Sequence, residues 1–186
     1  MRDFYDLAIC GLQRKLPLIG IGKNTKIASL NISGDVLLIR ATAKALYKKL
    51  KKYDFDYLVG PEVKVVPLID QLANIFNHKH YVICRKSRKP HMINPLVLKP
   101  LPHFPKHVKP LVIDGLDRDL IKGKKVAIVD DVISTGVTMR MMKKLMEKCE
   151  ADIVVFGAIV KQGEKLFEEL EPFEYLVSLP IFKSES

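Results

Sequence analysis

The sequence is poor in the features that mark disulfide-rich secreted proteins and membrane proteins. It has no tryptophan and three cysteines in 186 residues. Cys10, Cys84 and Cys149 are odd in number and too widely spaced for a disulfide framework or a zinc site, so we expect three reduced, buried thiols. Every apolar run is of strand length, and no N-terminal stretch has the pattern of a secretory signal. These absences favour a soluble globular protein in the cytoplasm.

Acidic residues are scarce relative to basic ones. The chain carries 31 lysines and arginines against 21 aspartates and glutamates, which gives a formal net charge of +10. A cleft lined with one sign of charge concentrates ligands of the opposite sign, so we expect an anionic partner. Net charge alone does not distinguish a nucleic acid from a small polyphosphate.

Apolar residues are arranged in alternating strand-like and helix-like segments. This order predicts one α/β domain with a mainly parallel sheet flanked by helices. Residues 1–32 have the pattern of an irregular, hairpin-like segment, and the proline-rich stretch between Ser87 and Pro110 that of a long loop or ribbon. The expected strands cover residues 55–60, 80–86, 111–115, 124–131 and 152–160, and the expected helices begin near residues 35, 66 and 137.

The stretch VAIVDDVISTGVT, residues 126–138, combines an apolar strand, two aspartates and a turn of small residues. In an open α/β sheet, ligands bind beyond the carboxyl ends of the strands, where Asp130 and Asp131 fall. The helix that follows directs its free N–H groups to the same place. Hydroxyl donors come from Ser134, Thr135 and Thr138, and Gly136 lets the backbone approach a ligand closely. The turn therefore predicts a phosphate site. The aspartates suit ribose hydroxyls attached to that phosphate, with Mg²⁺ offsetting their charge.

This stretch resembles the 5-phosphoribosyl-1-pyrophosphate (PRPP) site of the type I phosphoribosyltransferases. The resemblance implies that residues 134–138 bind the 5-phosphate, including Val137, where the family often has a second glycine. It implies that Asp130 and Asp131 hold the ribose hydroxyls and contact Mg²⁺ indirectly, through water and PRPP. The implied fold is the type I fold, with a small hood over the sheet to which residues 1–32 contribute.

Two further loops match the same family. In VGPEVKVVP, residues 59–67, Glu62 and Lys64 occupy the acidic-x-basic positions that bind PRPP through its pyrophosphate, and Val65 stands where glycine is common. CRKSRKP is similar to the start of the lid of adenine phosphoribosyltransferases, with Arg85, Lys86 and Lys89 at the matching positions and Arg88 adding charge. Cations on the departing pyrophosphate stabilise the transition state, so the resemblance assigns a catalytic role to a flexible lid over residues 85–110.

The resemblance implies an enzyme that converts a base and PRPP to a nucleoside 5′-monophosphate and pyrophosphate, as a homodimer. Adenine is the first choice of base, because KQGEKL (161–166) and a strand near Tyr175–Leu179 also resemble the adenine enzymes. Hypoxanthine, guanine, xanthine and orotate remain open. A different alternative is a non-catalytic regulator that senses PRPP and binds nucleic acid. The sequence favours it less, because it contains no separate helix pair for DNA binding and no cluster of aromatic residues on a strand.

Overall fold

The computed structural model describes residues 3–22, 24–100, 104, 108–164 and 168–183. The strands are β1 (Phe4–Ile9), β2 (Leu12–Gly20), β3 (Thr25–Ala28), β4 (Tyr57–Pro61), β5 (Val82–Cys84), β6 (Leu96–Leu98), β7 (Leu111–Ile113), β8 (Lys125–Ile133), β9 (Asp152–Gln162), β10 (Phe173–Leu179) and β11 (Ile181–Lys183). The helices are α1 (Val36–Leu50), α2 (Val66–Phe76), α3 (Gly115–Ile121) and α4 (Val137–Lys148).

The central sheet has the strand order β10-β9-β8-β4-β5, and every neighbouring pair is parallel. This confirms the α/β fold with a parallel sheet. β8 lies in the middle, where both faces are covered, and its residues Val126 to Val129 are accordingly 0% exposed. Helices α1 and α2 pack on one face of the sheet and α4 on the other, so two hydrophobic cores flank it.

A second, antiparallel sheet with the order β1-β2-β3-β11 forms what we call the hood sheet. The hairpin-like arrangement expected for residues 1–32 is confirmed for the described part, where β1 pairs with β2 and β2 with β3, but the expected irregularity is wrong, because this part forms three regular strands of the hood sheet. Its inner side chains, such as Leu7 and Leu16, join the core shared with α1 and α2. The closing strand comes from residues 181–183, a long-range pairing that local sequence patterns do not reveal.

The expectation of three buried thiols is correct for Cys84 and Cys149 and wrong for Cys10, which is exposed. Cys10 and Gly11 form the tight turn between β1 and β2, with φ of 52° and 77°. Such a turn projects from the end of a hairpin, so its side chains lie outside the core.

The proline-rich stretch contains a short ribbon, because β6 pairs with β7 in an antiparallel two-stranded sheet. The strand expected at residues 111–115 is thus β7, and it lies outside the central sheet. Residues 101–103 and 105–107 of the expected lid lie outside the described residues, as do residues 165 and 166 of the KQGEKL segment. In the described part of the chain, no helix combines the length and the apolar composition needed to cross a membrane.

Candidate functional site

Asp130 and Asp131 lie near the carboxyl end of β8, where the sequence predicts a ligand site. Each carboxylate is about nine-tenths buried. Oδ1 of Asp130 accepts a hydrogen bond of 2.8 Å from the N–H of Asp131, and Oδ1 of Asp131 accepts one of 3.0 Å from the N–H of Val132. One oxygen of each side chain is therefore fixed by the backbone, which orients the other oxygen for a ligand.

The acid pair lies in an electrostatic environment that favours a bound cation or hydroxyl donors. Burial, followed by the charge of Asp131 and a hydrogen bond with it, raises the pKa of Asp130 well above its ordinary value. The ammonium of Lys86 opposes this rise in pKa, so this lysine acts electrostatically on Asp130. A hydroxyl donor or a positive ion would relieve the repulsion between the two carboxylates.

The two carboxylates fit a shared Mg²⁺ better than a dedicated metal cage. Among the described residues, no group of three or more His, Cys, Asp or Glu side chains is arranged to hold a metal ion. Mg²⁺ commonly keeps several waters and binds through one or two carboxylates together with substrate phosphates. The donor set at Asp130 and Asp131 matches that pattern.

The turn between β8 and α4 encloses a small cavity at the same edge of the sheet, which we call the anion cradle because the sequence predicts a phosphate site there. A cavity of about 120 Å³ is lined by Asp130 and residues 132–139. Gly136 adopts the left-handed region at φ 73°, and the helix begins at Val137. Because the positive φ falls on Gly136, Val137 takes the place of the second glycine of the family pattern without backbone strain.

Arg140 braces this cradle, a role that the sequence analysis missed. Its Nη2 donates to the carbonyl oxygen of Thr135 at 2.8 Å, and its Nε lies 3.1 Å from Oε1 of Glu169. The only signal in the sequence is a basic residue four positions after Gly136, which is common on exposed helices. Its contact with Thr135 depends on the fold of the turn.

The segment after β4 carries Glu62, Lys64 and Val65. Glu62 accepts a hydrogen bond of 2.7 Å from the N–H of Lys86, whereas Lys64 is exposed. Val65 adopts an ordinary right-handed conformation, with φ of −75° and ψ of −16°, and is buried. A β-branched residue fits there without strain, so the glycine common in the family is not needed in this backbone.

The start of the predicted lid is held at its first residue. The N–H and the carbonyl oxygen of Arg85 each form a 2.7 Å hydrogen bond with the backbone of Val112. Lys86 lines a cavity of about 300 Å³ together with Thr135 and Thr138 of the cradle. The Nζ of Lys89 instead donates to Oγ of Ser87 at 3.0 Å. The structure therefore brings Lys86, but not Lys89, to the turn between β8 and α4.

A cavity of about 460 Å³ lies where the hood sheet meets α1 and the segment after β4. Its wall contains a fork in which Nε and Nη2 of Arg14 donate to the two carboxylate oxygens of Asp35, at 2.6 and 3.0 Å. Lys64 lines the same cavity. The sequence alone predicts a contribution of residues 1–32 as a whole to the hood and singles out no pocket residue within it.

Comparison with protein families gives a match over most of the chain. The profile described as "Phosphoribosyl transferase domain" matches residues 31–183. A hypoxanthine/guanine phosphoribosyltransferase of Methanotorris igneus is 31% identical over 140 residues, covering 71% of this chain and 69% of the relative. An adenine phosphoribosyltransferase of Thermosipho africanus is 26% identical over 136 residues, with 73% and 76% covered. An orotate phosphoribosyltransferase of a Bradyrhizobium species is 30% identical over 143 residues, with 76% and 68% covered.

Solved structures share the same fold. An adenine phosphoribosyltransferase of Rhodothermus marinus superposes with a TM-score of 0.65 at 19% identity, covering 95% of this chain and 94% of the other. Another adenine phosphoribosyltransferase, from Thermoanaerobacter pseudethanolicus, gives a TM-score of 0.61 at 21% identity, with 83% and 87% covered. At these identities the likeness shows the fold alone.

Proposed function

The chain belongs to the phosphoribosyltransferase family and has its type I fold, and we propose that it transfers the 5-phosphoribosyl group of PRPP to a purine base, with adenine as the first candidate. The products are a nucleoside 5′-monophosphate, AMP for adenine, and pyrophosphate. One observation carries the proposal: the buried acid pair, the anion cradle and Lys86 meet at one edge of the sheet. Those three parts suit the ribose, the 5-phosphate and the pyrophosphate of a single ligand.

The proposed roles follow from the chemistry of each group. The N–H groups and hydroxyls of residues 134–138 bind the 5-phosphate, and the free oxygens of Asp130 and Asp131 accept hydrogen bonds from the ribose hydroxyls. Lys64, Arg85, Lys86 and Lys89 offset the negative charge that builds on the departing pyrophosphate. Mg²⁺, when bound through water and PRPP, supplies further positive charge to the same phosphates.

Adenine is supported by the lid pattern and by the structural neighbours. Arg85, Lys86 and Lys89 match the start of the lid of adenine enzymes, and several solved structures with this fold are named adenine phosphoribosyltransferases. The cavity of about 460 Å³ beneath the hood is our candidate base pocket, because it is bordered by the hood sheet and by Lys64. Its position lets one wall come from the hood and another from the proposed pyrophosphate loop.

A specific observation favours an oxopurine as the second candidate. Lys161, at the carboxyl end of β9, is 8% exposed and lines another cavity of about 750 Å³. Its Nζ lies 5.7 Å from the ring centre of Tyr175, and no carboxylate pairs with it in the part of the chain that the structure describes. An ammonium donates to a carbonyl oxygen, which hypoxanthine, guanine and xanthine carry and adenine lacks. In the sheet register, Lys161 lies beside Ile133, which lines the cradle.

The test is pyrophosphate release from PRPP and Mg²⁺ with adenine, hypoxanthine, guanine, xanthine and orotate supplied one at a time. Turnover with adenine supports the first candidate. If an oxopurine is turned over and Lys161→Met abolishes that turnover, the second candidate is supported. Turnover with orotate alone refutes both candidates. PRPP binding without turnover on any base favours the non-catalytic regulator, and salt-dependent retention on nucleic acid then tests that alternative.

Magnesium dependence, a homodimer and a cytoplasmic location complete the proposal. They rest on the resemblance to the family and on the donor set at the acid pair. Removal of Mg²⁺ with a chelator is expected to stop turnover, and its return to restore it. Light scattering of the purified protein is expected to give twice the chain mass of 21.1 kDa.

A further inference from the structure

The side chain of Glu62 joins the two segments that leave the sheet after β4 and β5. Oε1 accepts a 2.7 Å hydrogen bond from the N–H of Lys86, and Oε2 lies 3.5 Å from Nη1 of Arg85. The N–H of Glu62 also donates to the carbonyl oxygen of Cys84 at 2.8 Å. The side chain is 16% exposed although the next two residues, Val63 and Lys64, are exposed. Both carboxylate oxygens therefore face the start of the lid.

The charge of Glu62 makes a direct contact with PRPP unfavourable. A carboxylate beside a pyrophosphate is repelled by it unless a cation lies between them. Here both oxygens already face groups of the lid, one the N–H of Lys86 and the other the guanidinium of Arg85. The side chain is thus satisfied without the substrate, and its contacts fix the backbone at the start of the lid.

The backbone of Arg85 is anchored independently by its two hydrogen bonds to Val112. The N–H of Lys86 depends on Glu62 instead. The hydrogen bond to Glu62 is therefore the contact that sets the direction in which Lys86 leaves this anchor. Lys86 lines the cavity beside Thr135 and Thr138, and its charge reaches Asp130.

We propose that Glu62 is a positioning residue, which holds the backbone of Lys86 so that this lysine faces the reacting centre, and that it does not itself contact PRPP. The role rests on the proposed function of the site. Because small displacements of a positioned group lower catalysis steeply, Glu62→Ala is expected to reduce kcat roughly 10- to 100-fold. Glu62→Gln is expected to retain most of the activity, since its amide oxygen still accepts from the N–H of Lys86.

The contact itself is tested without any turnover. Hydrogen exchange of the Lys86 amide, followed by NMR, is expected to be at least about tenfold faster in Glu62→Ala than in the wild type and little changed in Glu62→Gln. Asp56→Ala is the matched control, because Oδ2 of Asp56 likewise accepts a hydrogen bond from the backbone N–H of a lysine, Lys125, at 2.9 Å, but at the opposite end of the strands. An unchanged exchange rate of the Lys86 amide in Glu62→Ala would show that Glu62 does not hold this N–H and would overturn the proposal.

The role is tested by a double-mutant cycle with Lys86→Ala, in which both kcat and the dissociation constant of PRPP, from calorimetry, are measured. If Glu62 acts through Lys86, the double variant is no worse than Lys86→Ala alone. Losses that multiply, or a Glu62→Gln variant as impaired as Glu62→Ala, would overturn the proposal. A wild-type protein that releases no pyrophosphate with any base refutes the proposed function instead, and the cycle in PRPP binding then decides the role of Glu62.

Discussion

Asp35 gives a prediction whose magnitude can be worked out from its contacts. Its carboxylate caps α1 by accepting the N–H of Leu38 at 3.0 Å, and it also holds the fork from Arg14 of the hood sheet. Loss of an N-cap side chain costs about 1 kcal/mol. The ion pair adds about 0.5–1 kcal/mol, because both side chains are roughly one quarter exposed, at 26% and 27%. Asp35→Ala is therefore expected to lower the free energy of unfolding by about 1.5–2 kcal/mol.

Asn caps a helix about as well as Asp, so Asp35→Asn separates the two contributions. It is expected to lose only the ion pair, about 0.5–1 kcal/mol, or a fall in Tm of about 1–4 °C for a chain of this length. In the Arg14→Gln background, Asp35→Asn should then cost almost nothing. Urea denaturation and scanning calorimetry measure both quantities. Equal losses for Asp35→Asn and Asp35→Ala would refute the reasoning, since the cap would then contribute nothing.

The pH dependence of this ion pair follows from the direction in which the pKa of Asp35 is shifted. The hydrogen bond and charge of Arg14 hold the pKa of Asp35 below its ordinary value. The folded state therefore binds the proton less readily than the unfolded state does. The contribution of the ion pair to the free energy of unfolding is complete at pH values above the pKa of Asp35 in the unfolded state, about 4. It is lost as the pH falls through the lower pKa of Asp35 in the folded state. The difference in stability between wild type and Asp35→Asn should accordingly shrink in acid; a difference that grows would contradict the assignment.

Three further changes test the fold and the site. A Cβ on Gly60 would lie 2.6 Å from the carbonyl oxygen of Val129. Gly60→Ala is therefore expected to lower the free energy of unfolding, measured by urea denaturation, by about 1–3 kcal/mol. Unchanged stability would contradict this packing. Arg140→Ala should weaken PRPP binding in calorimetry without changing Tm by more than a few degrees, whereas unchanged binding would show that the brace on Thr135 is dispensable. Asp131→Asn is expected to reduce pyrophosphate release on the order of 100-fold; unchanged release would remove the acid pair from the mechanism.

Local sequence patterns predicted the elements whose stability depends on near neighbours in the chain. The apolar run of β8 and the periodicity of α1, α2 and α4 are visible in short windows, and the structure confirms these elements within a few residues. The acidic pair and the small residues 134–138 form one continuous stretch, so their placement at the end of a strand followed directly from the sequence. The short helix α3 was not predicted, because seven residues carry too little periodic signal.

The sequence by itself determined the parallel α/β architecture and the position of the acidic pair beside the phosphate turn, because both depend on contiguous residues. The tertiary structure decided which distant side chains complete the site. It showed a regular hood sheet closed by a strand more than 150 residues away, the Arg14–Asp35 fork in a cavity wall, and Glu62 bound to the start of the lid. These contacts depend on strand order and register, which bring residues together in space independently of their separation along the chain.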